Sequence, residues 1–211
     1  MTKFIPIFPL NSIIYPGQNL NLHIFEERYK QLINECKAQG KNFGIPSVDK
    51  AGLNEYGTEM EIVEITTTYP DGTMDIKTKG VGIFRIIEVL REVPDKLYSG
   101  AVVYDVPHLP MDTQVLNPTL VDLMAKLHAV LGTDFDLKKK FKTPTSYDLI
   151  PYAALSEEDQ YRLLASVSER GRQWFIIQHL LKLIPTLEEA ERVRAKVQLN
   201  GHFRREIPPQ F

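Results

Sequence analysis

Few residues in this 211-residue chain have the types and spacing that catalysis requires. No serine lies between glycines in the Gly-x-Ser-x-Gly arrangement that exposes a nucleophile on a strained turn. No His-Glu-x-x-His pair is present to hold zinc. No two of the five histidines stand four residues apart, as two metal ligands on one helix turn do: His23, His108, His128, His179 and His202. The sequence therefore predicts no catalytic residue and no metal site.

Nucleotide and cofactor sites are also not predicted. A phosphate-binding loop needs Gly, four residues, then Gly-Lys and Ser or Thr. The Gly40-Lys41 pair is followed by Asn42, and Glu35 stands where the first glycine is required. No glycine-rich dinucleotide motif follows a predicted strand. We expect no cofactor.

The bulk composition favours a cytoplasmic protein that binds neither membrane nor nucleic acid. The formal net charge is −2, which gives no overall field to attract phosphate backbones. The run Lys138–Lys140, with Lys142 nearby, is a candidate anion patch, although an exposed loop or helix face is the better explanation. No apolar stretch approaches the roughly 20 residues of a membrane span. A single cysteine allows no intramolecular disulfide and fits a reducing compartment.

The first half of the chain has the residue pattern of strands. Thr58–Tyr69 is rich in β-branched residues, Pro70-Asp71-Gly72 is a turn signal, and the next residues alternate in the strand manner. Further strands are predicted at 73–79, 81–89 and 97–106. Pro6 and Pro9 place the segment 4–10 at a sheet edge or bulge, because proline donates no ladder hydrogen bond. Short strands at this spacing predict a closed or partly closed barrel.

One helix interrupts this half. Phe25, Tyr29, Leu32, Ile33 and Cys36 recur at helical spacing, and Gly40 ends the run. Cys36 lies on the apolar stripe. We therefore interpret it as a buried structural thiol.

The second half has helical periodicity. Helices are predicted at 117–131, 147–153 and from Ser156, and Ser168–Ile184 is apolar around most of its circumference, as in the central helix of a bundle. A separate last helix is predicted to begin at Thr186. The predicted layout is a β-barrel domain at 1–107 and a helical bundle domain at 117–211, with the linker near 107–116.

The first half carries a series of short motifs in a fixed order. They are Pro6-Ile7-Phe8-Pro9-Leu10, Tyr15-Pro16-Gly17, Leu22-His23-Ile24-Phe25-Glu26-Glu27-Arg28-Tyr29, Phe43-Gly44-Ile45, Gly57-Thr58, Glu61-Ile62, Pro70-Asp71-Gly72 and Gly80-Val81-Gly82-Ile83-Phe84-Arg85. Together these motifs resemble the amino-terminal, substrate-binding domain of Lon proteases. The helical half resembles the same family more loosely, through Leu155-Ser156, Gln160, Leu163-Leu164 and Arg170.

The resemblance implies an α+β fold, a PUA-like β-barrel with one inserted helix followed by a small helical bundle. The chain resembles a free-standing form of the domain, without the ATPase and peptidase modules of full-length Lon. The motif residues also have structural explanations. Phe25 and Tyr29 would anchor the helix on the barrel, His23 would satisfy a backbone group at the corner, and Arg28 would pair with a nearby carboxylate.

The leading functional hypothesis is a non-catalytic module that binds exposed or unfolded segments of other proteins. Tyr15, Tyr56 and Tyr69, each beside a turn, are the candidate peptide-binding residues. Such a module would act as an adaptor or holdase linked to proteolysis, with a Lon-type protease as a candidate partner. Two alternatives are an RNA-binding PUA-like module and an enzyme, the latter including an inherited peptidase role. The oligomeric state is not specified by these patterns.

Overall fold

The computed structural model describes residues 2–107 and 116–203. The predicted linker near 107–116 falls almost entirely outside these residues, as do His108 and the side chain of His202. The described chain divides into two compact units, which are taken separately below. The first contains residues 2–107 and 156–169, and the second contains residues 116–155 and 170–203.

The first unit contains six antiparallel strands, the inserted helix and a second short helix. The strands are β1 (Thr2–Pro6), β2 (Asn19–Ile24), β3 (Phe43–Asp49), β4 (Gly52–Thr68), β5 (Met74–Leu90) and β6 (Gly100–Val106). The helices are α1 (Glu27–Gln39) and α5 (Glu157–Ala165). The hydrogen-bonded order is β1-β6-β5-β4-β3, and β2 pairs with β5. The predicted α+β class, with an antiparallel sheet and helices toward the carboxyl end, is confirmed.

The sheet curls on itself because its two longest strands are interrupted by bulges. The register of β4 against β5 shifts after Glu59, Ile62 and Ile65, and that of β5 against β6 shifts after Ile86. Bulges bend a strand and increase its twist. Beyond β1 the chain meets the opposite end of the sheet, where the Phe8 amide donates to the Gly44 carbonyl at 2.8 Å. The barrel is therefore partly closed, as the spacing of the strands predicted.

The turn between β4 and β5 forms where the sequence predicts it. Gly72 has a φ of +79°, and the Asp71 carboxylate accepts hydrogen bonds from the Thr73 amide at 3.0 Å and the Thr73 hydroxyl at 2.7 Å. The predicted strands 73–79 and 81–89 are one continuous strand, β5. Both glycines between them, Gly80 and Gly82, pair with β4.

Helix α1 packs on the barrel through its predicted apolar stripe, but it begins after Phe25. Tyr29, Leu32, Ile33 and Cys36 are buried, and Gly40 ends the helix with a φ of +61°. The prediction that Phe25 anchors the helix is wrong, because its side chain is 62% exposed. The anchor is Tyr29, whose ring centroid lies 4.0 Å from that of Phe8.

Helix α5 groups with the strands, although the sequence-based division assigned it to the helical domain. Its residue Gln160 accepts a hydrogen bond at 3.1 Å from the Tyr15 hydroxyl, and the Tyr161 hydroxyl accepts one at 2.9 Å from the Tyr56 amide. These contacts join segments more than 100 residues apart in the chain. Local periodicity therefore carried no signal for them.

The second unit is helical. It contains α2 (Pro118–Val130), α3 (Leu137–Lys140), α4 (Ser146–Leu149), a 3-10 turn (Ile150–Tyr152) and most of α6 (Glu169–Phe203). The Asn117 side chain caps α2 by accepting a hydrogen bond from the Thr119 amide at 2.9 Å. The predicted helices 117–131 and 147–153 correspond to α2 and to α4 with its 3-10 extension.

The prediction of two helices after Ser168 is wrong. Helix α6 runs through Pro185 without ending, and the Thr186 hydroxyl donates backward to the Lys182 carbonyl at 3.1 Å instead of capping a new helix. Proline removes one helical hydrogen bond locally, while the ion pair of Arg194 with Glu191 lies on the helix beyond it. Trp174, which lies in the segment predicted to be the central helix of the bundle, is 62% exposed. The buried face of α6 instead carries Ile176, Ile177, Leu180 and Ile184.

No helix within the described ranges is both long and apolar enough to cross a membrane.

Candidate functional site

The described residues hold no cluster of three metal-ligating side chains. Cys36 is buried, and burial together with the nearby Glu35 carboxylate raises its thiol pKa to about 11. A thiol with so high a pKa is almost entirely protonated at neutral pH, and the thiolate is the nucleophilic form. This agrees with the interpretation of Cys36 as a structural thiol.

A group of exposed side chains occupies the surface where β2, β5 and the β4–β5 turn meet. His23 and Asp75 are directly opposed across the β2–β5 pair, with the His23 Nδ1 and Asp75 Oδ1 atoms 2.7 Å apart. The other carboxylate oxygen of Asp75 accepts a hydrogen bond from the Tyr69 hydroxyl at 2.8 Å. One carboxylate therefore holds two ring side chains, and His23 does not satisfy a backbone group as the sequence suggested.

Phe25 completes this group. Its ring is stacked on that of His23 with centroids 6.2 Å apart, and the Tyr69 ring meets His23 edge-on at 6.1 Å. Phe25 and Tyr69 are 62% and 41% exposed. We call His23, Phe25, Tyr69 and Asp75 the aromatic cluster. It presents apolar ring surface to solvent, and hydrogen bonds to Asp75 hold two of its side chains, His23 and Tyr69.

The electrostatics of the aromatic cluster follow from the shared carboxylate. Hydrogen bonds from His23 and then from Tyr69 lower the pKa of Asp75 below its ordinary value, since both stabilise the ionised form. Conversely, donating to Asp75 raises the pKa of Tyr69, because the neutral phenol is the form that donates. Asp75 is therefore ionised near neutral pH and Tyr69 is protonated.

The next motif residues, Arg28 and Tyr29, contact their neighbours in the fold. The Arg28 guanidinium lies 2.7 Å from a Glu26 carboxylate oxygen and 4.5 Å from the centroid of the Tyr29 ring. Tyr29 is buried against the barrel. These contacts fix the start of α1 next to the aromatic cluster.

The three tyrosines proposed for peptide binding do not form one surface. Tyr15 is only 1% exposed, so it cannot offer its ring to a partner. Tyr56 is half-buried, and its ring meets Tyr161 of α5 edge-on with centroids 6.3 Å apart. Of the three, only Tyr69 has the exposure that a binding surface needs. A tyrosine beside a turn has the same sequence signature whether it packs inward or outward.

A pocket of about 510 Å³ lies between β1 and α1. We call it the seam pocket, and its polar lining includes Lys3, Glu35, Asn42, Glu59 and Lys96. The Lys3 ammonium lies 2.7 Å from a Glu59 carboxylate oxygen, to which Asn42 also donates at 2.9 Å. The sequence carries no local signal for this pocket because its residues come from four separate stretches of the chain, 3–6, 35–42, 59 and 96–98. Pro6 indicated only a sheet edge or bulge.

A second carboxylate on the same pocket is held by neighbouring donors. Glu35 accepts a hydrogen bond from the Tyr98 hydroxyl at 2.6 Å and lies 2.8 Å from the Lys96 ammonium. Lys96 and then Tyr98 lower the pKa of Glu35. The neighbouring carboxylate and burial raise the pKa of Tyr98, with burial the larger effect. These groups pair with one another.

The basic run is partly engaged in the second unit. The Lys140 ammonium lies 4.0 Å from the centroid of the Tyr152 ring, and Lys139 lies 3.6 Å from the Asp136 carboxylate. The side chain of Lys138 lies outside the described residues. The Asp136 carboxylate places a negative charge beside this basic run.

Comparison with known proteins gives a consistent result. Residues 5–182 match the family of ATP-dependent protease La (LON) substrate-binding domains. A Lon protease of Flavobacterium johnsoniae is 29% identical over 99 residues, which are 43% of this chain and 12% of that protease. This chain therefore spans a small part of the length of that relative.

Two solved structures share the fold over most of their length. A Lon N-terminal domain protein from Xanthomonas campestris superposes with a TM-score of 0.62 at 26% identity, over 87% of this chain and 99% of that one. The N-terminal domain of a Lon protease from the Mycobacterium avium complex gives a TM-score of 0.60 at 15% identity, over 86% and 100% of the two chains. At that identity the second likeness shows the fold alone. Because the family match spans residues 5–182, which is more than half of the chain, the chain belongs to the family of LON substrate-binding domains.

Proposed function

We propose that this chain is a non-catalytic module that binds exposed segments of unfolded proteins through the aromatic cluster. The observation that carries the proposal is the pair of exposed rings, Phe25 and Tyr69, beside His23 at the edge of the sheet. Membership of a substrate-binding family supports the same role.

The aromatic cluster suits this task for a physical reason. Burying an exposed aromatic ring against a partner lowers the free energy of the system. Such rings also contact many different side chains without requiring a fixed sequence. The Asp75 hydrogen bonds hold His23 and Tyr69 in place before binding, which reduces the conformational entropy lost on association. Broad recognition of apolar segments follows from these two properties.

We further propose that the bound segments are delivered to, or held for, a Lon-type protease. An adaptor of this kind contributes binding and leaves ATP hydrolysis and peptide cleavage to its partner. The sequence supports this division, since it has neither a phosphate-binding loop nor a recognisable activated nucleophile.

Binding to a permanently unfolded protein tests the central proposal. Reduced, carboxymethylated α-lactalbumin and its native form are titrated with the chain, and binding is followed by fluorescence anisotropy of a label on the lactalbumin. We expect micromolar binding to the unfolded form only. The substitution Phe25→Ser should weaken it about 10-fold, since losing an aromatic contact costs on the order of 1–2 kcal/mol.

The matched control is Ile87→Ser. The side chain of Ile87 is 59% exposed, a fraction similar to that of Phe25. Ile87 lies in the part of β5 that does not pair with β2, outside the aromatic cluster. It should change binding less than 2-fold. Equal weakening of binding by both substitutions would show nonspecific binding to exposed apolar residues, in place of a site at the aromatic cluster. Equal binding to native and unfolded lactalbumin would overturn the proposal.

The adaptor role has a separate test. A purified Lon protease is supplied with the same unfolded substrate, ATP and increasing amounts of this chain. An adaptor accelerates degradation, whereas a holdase slows it and releases intact substrate. No effect on the rate would remove the link to the protease while leaving binding itself intact.

A further inference from the structure

Strand β1 has one edge without a partner strand. It stands at the end of the hydrogen-bonded order and pairs with β6 alone. The Ile7 amide donates to the Ser99 carbonyl at 3.0 Å, which continues the register of β1 against β6. Because backbone groups alternate sides along an antiparallel strand, Lys3 and Ile5 also bond toward β6. The amide and carbonyl of Phe4 therefore face away from β6.

The open edge is limited to β1 itself. Past Pro6 the chain turns its free side to β3, where the Phe8 amide donates to Gly44 at 2.8 Å and the Leu10 amide donates to Pro46 at 3.2 Å. The parallel bridge between Ile7 and Gly44 also brings the Gly44 amide to the Pro6 carbonyl. The open side of β1 is therefore formed by the backbone of Thr2 and Phe4, which no described strand pairs on that side. The nitrogen of Pro6, which carries no hydrogen, faces this side of β1. Proline at this position therefore costs no hydrogen bond to β6.

The seam pocket lies along this edge. Residues 3–6 line one side of it, and Asn42 and Glu59 line the other. The Phe4 ring does not close it, because a Cβ added at Gly100 of β6 would meet that ring at 2.2 Å. The ring therefore lies over β6. A pocket of about 510 Å³ falls within the size range of ligand sites in proteins.

We propose that an extended segment of a client protein binds in the seam pocket by adding to β1 as a further strand. The Phe4 amide and carbonyl and the Thr2 carbonyl supply its main-chain hydrogen bonds, as in other cases of strand addition. This inference rests on the proposed function and assigns it a second site with a different mode of recognition. The aromatic cluster binds apolar side chains of the client protein, and the seam pocket binds its backbone.

The charges of the seam pocket select the side chains of that segment. Lys3 and Lys96 are already paired with Glu59 and Glu35. The Lys41 ammonium, also on the lining, has no ion pair with another described residue. A segment that alternates apolar and acidic residues places its carboxylates on one face, next to Lys41, and its apolar side chains on the other.

Two substitutions of Phe4 distinguish hydrogen bonding by its backbone from contacts made by its side chain. Phe4→Pro removes the amide that faces the seam pocket and leaves every hydrogen bond to β6 in place. Phe4→Ala keeps that amide and removes the ring. The probe is a labelled eight-residue peptide of alternating valine and glutamate, titrated by fluorescence anisotropy against the full chain, with a valine–lysine peptide for comparison.

We expect the valine–glutamate peptide to bind at least 10-fold more weakly to Phe4→Pro and less than 3-fold more weakly to Phe4→Ala. It should bind the unaltered chain more tightly than the valine–lysine peptide does. Equal loss in the two variants overturns strand addition, as does a failure of the peptide to bind a chain that binds unfolded lactalbumin. Binding of neither peptide nor lactalbumin would instead overturn the proposed function.

A second measurement needs no variant, in case Phe4→Pro disturbs folding. The amides of the valines, or those of the glutamates, are methylated in two versions of the peptide. A strand presents only alternate amides to a neighbour, so one version should lose binding and the other should keep it. Hydrogen exchange should also slow at the Phe4 amide when the unmethylated peptide is added. Equal loss with both versions, or unchanged exchange at Phe4, would overturn the inference.

Discussion

At the scale of residues, Asp75 organises the aromatic cluster by accepting hydrogen bonds from two rings at once. Its pKa is lowered because His23 and Tyr69 donate to the ionised carboxylate. A lowered folded-state pKa stabilises the protein above the ordinary value of 3.8, and that stabilisation is lost as the pH falls through the lowered value. The arrangement of the rings is therefore maintained at neutral pH and lost in acid.

The substitution Tyr69→Phe tests this coupling. Without the phenol hydroxyl the carboxylate loses one of its two donors, so the pKa of Asp75 should rise toward 3.8 while staying below it, because His23 still donates. A pH titration of the Asp75 side-chain carbon by NMR measures the change. The companion Thr66→Val should leave the titration unchanged, because the Thr66 hydroxyl donates to the Asp75 backbone carbonyl. An unmoved pKa in Tyr69→Phe would contradict the assigned hydrogen bond.

At the scale of elements, the loop before β2 rests directly on β5 at Gly80. The Gly17 amide donates to the Gly80 carbonyl at 2.8 Å, and the Gly80 amide donates to Gln18 at 2.9 Å. A Cβ on Gly80 would lie 2.5 Å from the Tyr15 carbonyl oxygen, a backbone atom that has little room to move. Glycine is therefore required here by close approach of two backbones.

We expect Gly80→Ala to lower the free energy of unfolding by about 1–3 kcal/mol, the usual cost of overpacking. Gly82→Ala is the control, since its added Cβ would meet nothing closer than the Glu59 carboxylate at 3.9 Å. Urea denaturation followed by circular dichroism compares the two. Similar midpoints for both variants would show that the loop moves aside without cost.

At the scale of the whole molecule, the first unit is completed by a segment that follows it by about fifty residues. Tyr15 and Tyr56 each bond to α5, and Leu163 and Leu164 of that helix are buried. We propose that residues 1–107 fold less stably without residues 156–169. The domain boundary predicted from periodicity would then mark a change of secondary structure and not the end of a folding unit.

Two fragments test this proposal. One ends at residue 107 and the other at residue 169. Loss of the two hydrogen bonds, each worth about 0.5–1.5 kcal/mol, should make the shorter fragment less stable by about 1–3 kcal/mol. Urea midpoints measured for both provide the comparison. Equal midpoints would mean that residues 1–107 form an independent unit.

The sequence by itself determined the elements whose signals are local. The Pro70-Asp71-Gly72 turn, the end of α1 at Gly40 and the start of α2 near Asn117 all depend on residues within a few positions of one another. The ordered motifs also determined the family, because a series of short matches in fixed order is improbable by chance even where each match is weak. Neither conclusion required knowledge of contacts distant in the chain.

Only the tertiary structure decided which surfaces are exposed and which residues meet. Tyr15 and Tyr69 have the same local signature, yet α5 covers the first and solvent reaches the second. Phe25 fits a helical stripe, but α1 begins after it. Burial depends on what the rest of the chain places against a side chain. Periodicity can therefore assign a residue to a helix or strand, but the residue's partners are fixed by packing between segments far apart in sequence.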